Sequence, residues 1–291
     1  MLSDQAAALL GRCAFPPRGS EIDCAVSGGP DSLALLVLAV AAGCEVTAYH
    51  VDHGLRDGSE REAEIVRRNA EVVGARFVAL RVEVAPGANL EARARAARFS
   101  ALPPGVATGH TADDQAETVL LNLVRGAGAD GLVGMRLGRR HPILKLRREE
   151  TERVVESMRL EVVRDPSNTD RTFRRNRVRS ELVPLLSEIA SRDVVAVISR
   201  QCELIADDVA MLDSLASAID ATDARQLSSA PVALARRSVR AWLKDISGST
   251  LPPDSAAVER VLSVARGDAL ACEISGGTRI RRHRGRLVAG V

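Results

Sequence analysis

The sequence predicts an α/β protein, with a Rossmann-like parallel sheet and crossover helices followed by a small, mostly helical C-terminal domain that ends in a hairpin. From about residue 21, short β-branched runs alternate with segments of helical period, which is typical of parallel strands joined by helices. After Asp220 the chain becomes polar and rich in Ser and Ala, and its tail turns at Gly276-Gly277. We therefore expect a first domain over residues 1–190, a linking helix over 191–218 and a small domain over 219–291.

Four strands and four helices are predicted for the first domain. The strands are Glu21–Val26, Glu45–Val51, Arg76–Val84 and Gly105–Thr108. The helices are Ser32–Ala42, Ser59–Val73, Asn89–Phe99 and Ala112–Val124. Ligands of such open sheets bind beyond the carboxyl ends of the strands, so the segments that follow the strands are the candidates for a site.

Beyond residue 124 the sequence predicts a long loop and then more helices. Residues 125–148 are rich in Gly and Arg and have weak periodicity, so we interpret them as a functional loop. Gly126, Gly128 and Gly131 form a GxGxxG pattern there, but it follows a helix instead of a strand and is not a dinucleotide fingerprint. The later helices are predicted over Glu149–Leu160, Arg175–Leu186, Asp193–Ala218, Val232–Lys244 and Ser255–Ala265.

Composition excludes several classes of protein. With 46% hydrophobic and 27% charged residues the chain is in the globular range. Its longest apolar run, Leu33–Gly43, is about half of what a membrane span needs, and we expect a cytoplasmic protein without a membrane partner. Five cysteines without a close pair favour reduced thiols over disulfides or an iron–sulfur site. The net charge is only +2, but Lys and Arg concentrate in residues 136–148, 171–179 and 279–286, which predicts local basic surfaces.

The strongest motif is the turn Ser27-Gly28-Gly29-Pro30-Asp31-Ser32, which lies between a strand and an apolar helix. This context brings free backbone N–H groups and a helix N-terminus together, as an anion site requires. The glycines allow close approach of phosphate, the two serines add hydroxyl groups, and Asp31 is a candidate ligand of Mg²⁺. The alternative is an ordinary glycine turn capped by Asp31 or Ser32, but the strand and helix on either side favour a phosphate site.

This turn resembles the phosphate loop of the PP-loop ATP pyrophosphatases, which cleave ATP between the α and β phosphates. Three further stretches narrow the resemblance: His50–Arg56, Ala107–Thr118, and Asp165–Asp170 with its continuation to Arg179. Together, in this order, the four stretches resemble the tRNA(Ile)-lysidine synthetase family, and the similarity covers most of residues 21–186.

The resemblance implies a ligase that forms a carbon–nitrogen bond and uses ATP and Mg²⁺. Members of this family adenylate O2 of the wobble cytidine of an isoleucine tRNA with a CAU anticodon. The ε-amine of free L-lysine then displaces AMP, which gives lysidine, AMP and pyrophosphate. On this basis residues 1–190 are the ATP-binding catalytic domain and residues 219–291 dock tRNA, while a homodimer is left open.

The resemblance also assigns roles to acidic residues near the third stretch. Asp114 and Glu117 are three residues apart and share one helix face, with His110 just before the helix. The family pattern implies lysine binding by the two acids and places His110 near the reacting centre, so the catalytic candidates are Asp31, His110, Asp114 and Glu117. The local alternative is a capping box from Thr111 to Asp114, with acids that favour the helix dipole.

Other candidates are weaker, because each has an ordinary structural alternative. The resemblance places adenine near His50 and Val51, and it leaves Arg93 as a partner of phosphate or of the lysine carboxylate unless Arg93 is simply exposed. Two residues depart from the family pattern: Phe99 stands where Tyr is usual and His141 where Arg is usual. The candidate tRNA or phosphate contacts, which are otherwise solvated surface, are Arg174, Arg175, Asn176, Arg179, Arg281 and Arg284.

Three other functions stay open at this point. A PP-loop tRNA thiolation enzyme usually needs paired cysteines, which this chain lacks. An idle ATP- or RNA-binding module is disfavoured, since all four catalytic candidates are present. Amide formation as in NAD synthetases would leave residues 165–179 without a role.

Overall fold

The computed structural model describes residues 8–52, 59–82, 93, 97, 100–163, 170–247 and 253–290. These form two compact units, which divide between Glu203 and Leu204. Each unit has a hydrophobic core of its own.

The first unit is built on a sheet of four parallel strands, which confirms the predicted fold class. Its strands are β1 (Glu21–Ala25), β2 (Glu45–Asp52), β3 (Arg76–Arg81) and β4 (Ala107–Thr108), in the spatial order β3-β2-β1-β4. Strands β2 and β3 therefore lie on one side of β1 and β4 lies on the other, so strand order reverses between β1 and β4. In open α/β sheets this is where a crevice for ligands forms.

Helices cover this sheet and supply much of its core. Helix α1 contributes Leu33, Leu35, Leu36 and Leu38, which are completely buried because it packs between the sheet and helix α5. The helical segments of the first unit are α1 (Pro30–Ala41), α2 (Ser59–Val73), α3 (Ala112–Val124), α4 (Ala129–Leu132), α5 (Arg148–Ser157), α6 (Arg174–Arg177), a π-helical turn (Val178–Leu182), α7 (Val183–Ala190) and α8 (Val194–Ser217), which continues into the second unit.

The segment predicted as a long loop has little regular structure, as expected, beyond the single turn of α4. It is held in place by the buried amide of Gln115, which donates to the carbonyls of Val133 and Met135 at 2.9 and 3.0 Å and accepts from the Met135 N–H at 2.8 Å. The prediction that residues 136–148 form a basic surface is only partly right. Arg147 and Arg148 turn inward, because α5 begins at Arg148 and directs both side chains toward acids of α3.

The second unit consists of α9 (Ala224–Ser229), α10 (Val232–Ser247), α11 (Ser255–Arg266) and an antiparallel sheet of β5 (Ala271–Glu273), β6 (Arg279–His283) and β7 (Arg286–Gly290). The predicted hairpin is present as β5 and β6, but the arm predicted to run from Thr278 to Val288 is divided into two strands, β6 and β7, which pair with each other. Arg284 and Gly285 both have positive φ, the backbone of a tight two-residue turn, and Arg at the first position is an unusual residue for such a turn. Ile280 and Leu287 point from this sheet into the core. Within the described residues, none of the helices combines the length and the apolar character of a bilayer span.

Candidate active site at the carboxyl ends of the first and fourth strands

Two loops meet where β1 and β4 end side by side. Ala25 is in register with Thr108, so the turn of residues 27–32 lies next to the start of the segment 109–114. A Cβ atom on Gly109 would lie 2.6 Å from the carbonyl oxygen of Asp31. Only glycine allows this approach between two backbones, and it places His110 and α3 directly beside the start of α1.

The turn of residues 27–32 has the backbone geometry that an anion site needs. Gly28 has a φ of +88°, and its carbonyl accepts the N–H of Val163 at 2.9 Å. Helix α1 begins at Pro30, and its N-cap, Gly29, offers no side chain to the first N–H groups of the helix. Ser32 Oγ donates to the Gly29 carbonyl at 2.9 Å and lies 3.3 Å from Ser27 Oγ. Phosphate binding by these residues stays a prediction.

Asp31 points from the first turn of α1 toward α5. Its Oδ1 accepts from Thr151 Oγ1 at 2.5 Å, and its Oδ2 lies 3.4 Å from Arg148 Nε. Burial raises the pKa of Asp31 to about 6, although Thr151 and Arg148 both favour the ionised form. The carboxylate therefore carries its charge at neutral pH but loses it under mildly acidic conditions.

Asp114 performs the capping role and faces the site as well. Its Oδ2 accepts from the N–H and the hydroxyl of Thr111, each at 3.0 Å, which is the predicted capping box. Its Oδ1 lies 3.4 Å from Arg148 Nη2 and 3.3 Å from Arg175 Nη2. Burial opposes ionisation of Asp114, but Arg148, Arg175 and the Thr111 N–H outweigh it and lower the pKa below its usual value.

Glu117 is the most buried acid of the site, with 1% of its surface exposed. Arg175 Nε lies 2.7 Å from Oε2, Arg179 Nε lies 2.6 Å from Oε1, and Arg148 Nη2 lies 3.4 Å from Oε1. Arg175 and Arg179, predicted as contacts of tRNA or phosphate, therefore neutralise the site carboxylates in this structure. Of the other two candidates in that stretch, Arg174 is exposed and Asn176 donates to the Asp170 carbonyl at 2.8 Å.

Two histidines share one threonine at the end of β4. Thr108 Oγ1 lies 2.7 Å from His110 Nδ1 and 2.9 Å from His141 Nδ1, and the two nitrogens are 3.2 Å apart. Burial, with a smaller contribution from Arg140, lowers the pKa of His141 and so favours its neutral form. His141, which stands where Arg is usual, thus contacts His110 instead of serving as a fixed positive charge.

The other first-domain candidates lie on β2 and at residue 93. His50 is buried in β2 with Nδ1 2.9 Å from the Val26 carbonyl, and Val51 is half-buried beside it. Arg93 is helical and exposed, and most of the chain around it lies outside the described residues. The predictions for 53–56, Phe99 and 165–169, and for most of the helix Asn89–Phe99, also concern residues outside the described part of the chain.

Sequence reasoning missed two residues that organise the site, Arg148 and Thr151. Both lie in the first turn of α5 and contact Asp31 across about 120 positions of sequence. The only available indication was an Arg pair that opens a helix just after the apolar stretch Ile143–Leu144. That pattern is equally typical of an exposed helix start, so it could not identify them.

In the second unit, strand alternation places a basic face on the terminal sheet. The side chains of β6 alternate, so Arg279, Arg281 and His283 lie on the face of the sheet away from the buried Ile280. Arg286 is in register with His283 and shares this face. Arg281 is exposed, as is Arg284 in the adjoining turn. Arg286 forms an ion pair with Asp220 at 2.9 Å, and Arg282 donates to the Ala265 carbonyl at 3.0 Å on the other side of the sheet.

Two family models and several curated relatives match this chain. Residues 3–186 match the family model of the PP-loop domain, and residues 223–288 match that of the TilS substrate binding domain. A tRNA(Ile)-lysidine synthase of Nocardia farcinica is 40% identical, covering 94% of this chain and 92% of the relative. One of Rhodococcus erythropolis is 38% identical, covering 95% of this chain and 91% of the relative.

Among solved structures, the U34-tRNA thiolase NcsA from Methanococcus maripaludis is similar with a TM-score of 0.54 and 16% identity, covering 69% of this chain and 78% of that one. This similarity shows a shared fold and nothing about the reaction. The identity to curated relatives over nearly the whole length is what decides between the branches of the fold, and by it the chain belongs to the tRNA(Ile)-lysidine synthase family.

Proposed function

We propose that this protein is a ligase that joins L-lysine to C2 of the wobble cytidine of an isoleucine tRNA with a CAU anticodon, at the expense of ATP. The observation that carries the proposal is the cluster at the carboxyl ends of β1 and β4. There a turn suited to phosphate and two buried carboxylates of α3 lie within the reach of one arginine, Arg148. ATP, lysine and tRNA occur together in the cytoplasm, where we place the reaction.

In the first step, O2 of the cytidine attacks the α-phosphorus of ATP, and the bond to the β-phosphate oxygen breaks to release pyrophosphate. The turn of residues 27–32 binds the phosphates through backbone N–H groups and serine hydroxyls. We assign the negative charge that develops on pyrophosphate, or a contact with the tRNA backbone, to the exposed Arg174. Arg175 and Arg179 can take the same role only when they give up part of their pairing with Glu117.

Mg²⁺ fits this site as a partner of ATP. Within the described part of the chain, no three acidic, His or Cys side chains group into a metal cage. Mg²⁺ commonly binds to one or two carboxylates together with substrate phosphates, and Asp31 beside the turn offers a carboxylate of this kind. Bound there, the ion would neutralise phosphate charge, while Thr151 orients the carboxylate through Oδ1.

In the second step, the neutral ε-amine of lysine attacks C2, the C2–O2 bond breaks, and AMP leaves with the oxygen. The amine arrives as an ammonium ion and must lose a proton, and Asp114 and Glu117 form the acidic site that attracts it. Asp114 and Glu117 are paired with arginines, so they can bind the ammonium but are weak bases. The proton is therefore removed by a group nearer the reacting centre. His110, hydrogen-bonded through Nδ1 to Thr108, lies beside this site.

We assign tRNA docking to the basic face of the second unit, with Arg281 and Arg284 as contacts. The variant Arg281→Gln/Arg284→Gln is expected to weaken tRNA binding and to reduce the slope of log Kd against log salt by about one unit for each phosphate that is no longer bound. The charge-matched control is Arg236→Gln/Lys244→Gln on α10, a helix that packs on α11. An unchanged slope in the first variant, measured by fluorescence anisotropy across a salt series, would contradict the assignment.

The experiment that tests the reaction uses α-labelled ATP, L-lysine and an isoleucine tRNA with a CAU anticodon. We expect AMP release together with a mass increase of the anticodon base equal to lysine minus water. The same tRNA with its wobble cytidine replaced is expected to release no AMP. AMP release that ignores this replacement, or an unmodified base, would refute the proposed function.

A tRNA thiolation enzyme is the second candidate function. The burial of several cysteine thiols disfavours it. Cys24, Cys44 and Cys202 are buried, and burial raises the pKa of Cys13 to about 11, so these groups are poor thiolates. Iron or persulfide in the purified protein would favour thiolation instead.

A further inference from the structure

The three acids of the candidate site are fully matched by arginines. Asp31, Asp114 and Glu117 contribute three negative charges, and Arg148, Arg175 and Arg179 contribute three positive charges within 3.7 Å of them. A lysine ammonium that approaches Asp114 and Glu117 in this state meets guanidinium groups already on the carboxylates. The site as it stands is therefore closed to the cation that it is proposed to bind.

The three arginines are not held equally. Arg175 and Arg179 each form a contact of 2.6 to 2.7 Å with Glu117. Arg148 instead makes three long contacts of 3.4 Å, to Asp31, Asp114 and Glu117. A guanidinium shared among three distant acceptors has no well-formed bidentate pair, so Arg148 is the one that moves most readily.

Arg148 is also distinguished by what it connects. Its guanidinium forms ion pairs with Asp31 on the nucleotide side and with the α3 carboxylates on the lysine side, whereas Arg175 and Arg179 pair with the α3 carboxylates. A triphosphate on the turn of residues 27–32 would bring several negative charges to the Asp31 end of this guanidinium. Arginine pairs well with phosphate, so the nucleotide competes directly with Asp114 and Glu117 for Arg148.

We propose that Arg148 is a positioning residue that keeps Asp114 and Glu117 closed to the lysine ammonium until a bound nucleotide draws its guanidinium toward the phosphates. This inference rests on the proposed function and adds an order of binding to it, with ATP first and lysine second. The arrangement prevents lysine from occupying the site before there is a nucleotide to activate the cytidine. Linkage requires that lysine then strengthens nucleotide binding by the same factor.

The test is calorimetric titration of L-lysine into the full chain with Mg²⁺, with and without an ATP analogue that has a methylene group between the α and β phosphorus atoms. We expect lysine to bind the wild-type protein at least about tenfold more tightly with the analogue, which is within the usual range of coupling between two sites. In Arg148→Gln the ratio of the two lysine affinities is expected to fall toward one. Arg153→Gln, on the same helix, changes an exposed side chain that donates to the Glu149 carbonyl and is expected to keep the wild-type ratio.

Equal lysine affinity with and without the analogue in the wild-type protein would overturn the inference and leave the proposed function intact. This comparison needs no variant, so it decides the matter even if Arg148→Gln does not fold. A full ratio in a folded Arg148→Gln protein would also overturn it. No lysine binding under either condition would instead overturn the proposed function.

Discussion

Asp31→Asn is expected to lower the rate of AMP release on the order of 10³-fold, because the change removes the charge of the carboxylate in the turn of residues 27–32 and keeps its shape. The loss of one preorganised electrostatic partner in a site that excludes water has effects of this size. Both chemical steps depend on correctly bound ATP, so lysidine formation should fall with AMP release. The measurement is single-turnover release of labelled AMP, with Asp23→Asn in β1 as a control expected to retain wild-type activity.

The raised pKa of Asp31 adds a pH dependence to this prediction. Binding of Mg²⁺ and ATP to the wild-type protein should weaken as pH falls through about 6, because protonation removes the charge of the carboxylate. The γ-phosphate titrates in a similar range, so the informative quantity is the difference between wild type and Asp31→Asn in the same buffer series. Parallel curves for the two proteins would contradict a charged role for Asp31.

The same pKa determines the sign of the effect on stability. The folded protein holds the Asp31 proton up to a higher pH than the unfolded chain does, so this group makes the protein less stable as pH rises from about 4 to about 6. At pH 7 the buried, ionised carboxylate lowers the free energy of unfolding, and the neutral Asn side chain does not. We therefore expect the free energy of unfolding of Asp31→Asn at pH 7 not to fall, in contrast to its activity.

The strand and helix pattern was sufficient to predict the fold, because it depends on local sequence. The run from Leu33 to Leu38 could only be a buried helix, and the alternation at Arg279–Arg281 correctly predicted strand β6. The turn at Arg284 and Gly285 between β6 and β7 was not predictable, because Arg rarely adopts positive φ and is not typical of the first position of such a turn. Here the pairing of β7 with β6 overrides the local preference.

The site was predictable in its parts but not in its connections. The turn after β1 and the acids of α3 could be found because each is a short motif with a chemical meaning. The pairing of Glu117 with Arg175 and Arg179 joins residues about 60 positions apart, and Arg148 reaches Asp31 across more than 100. Such contacts follow from how α5 packs against α1 and how α6 and the π-helical turn pack against α3, which no local pattern encodes.

Glu117→Gln is expected to destabilise the protein by about 3 kcal/mol and to reduce kcat/KM for lysine at least about 100-fold. Glu117 is almost completely buried and accepts from two arginines at 2.6 to 2.7 Å. Removing one partner of a buried ion pair leaves uncompensated charge, which is the main source of such large effects. Chemical denaturation measures the first quantity, and steady-state assays over a lysine series measure the second.

Two further variants separate the structural role of Glu117 from its proposed role in lysine binding. Glu181→Gln removes an acid that also pairs with two arginines, Arg171 and Arg177, but at the solvent-screened surface, and is expected to change the free energy of unfolding much less than Glu117→Gln does. Adding Arg179→Gln to Glu117→Gln removes one of the orphaned charges, so part of the lost stability should return. The kcat/KM for lysine should not return with it, because the acid that we propose attracts the ammonium is still absent. If the double variant recovered lysine use together with stability, Glu117 would be a structural partner of the arginines and not part of the lysine site.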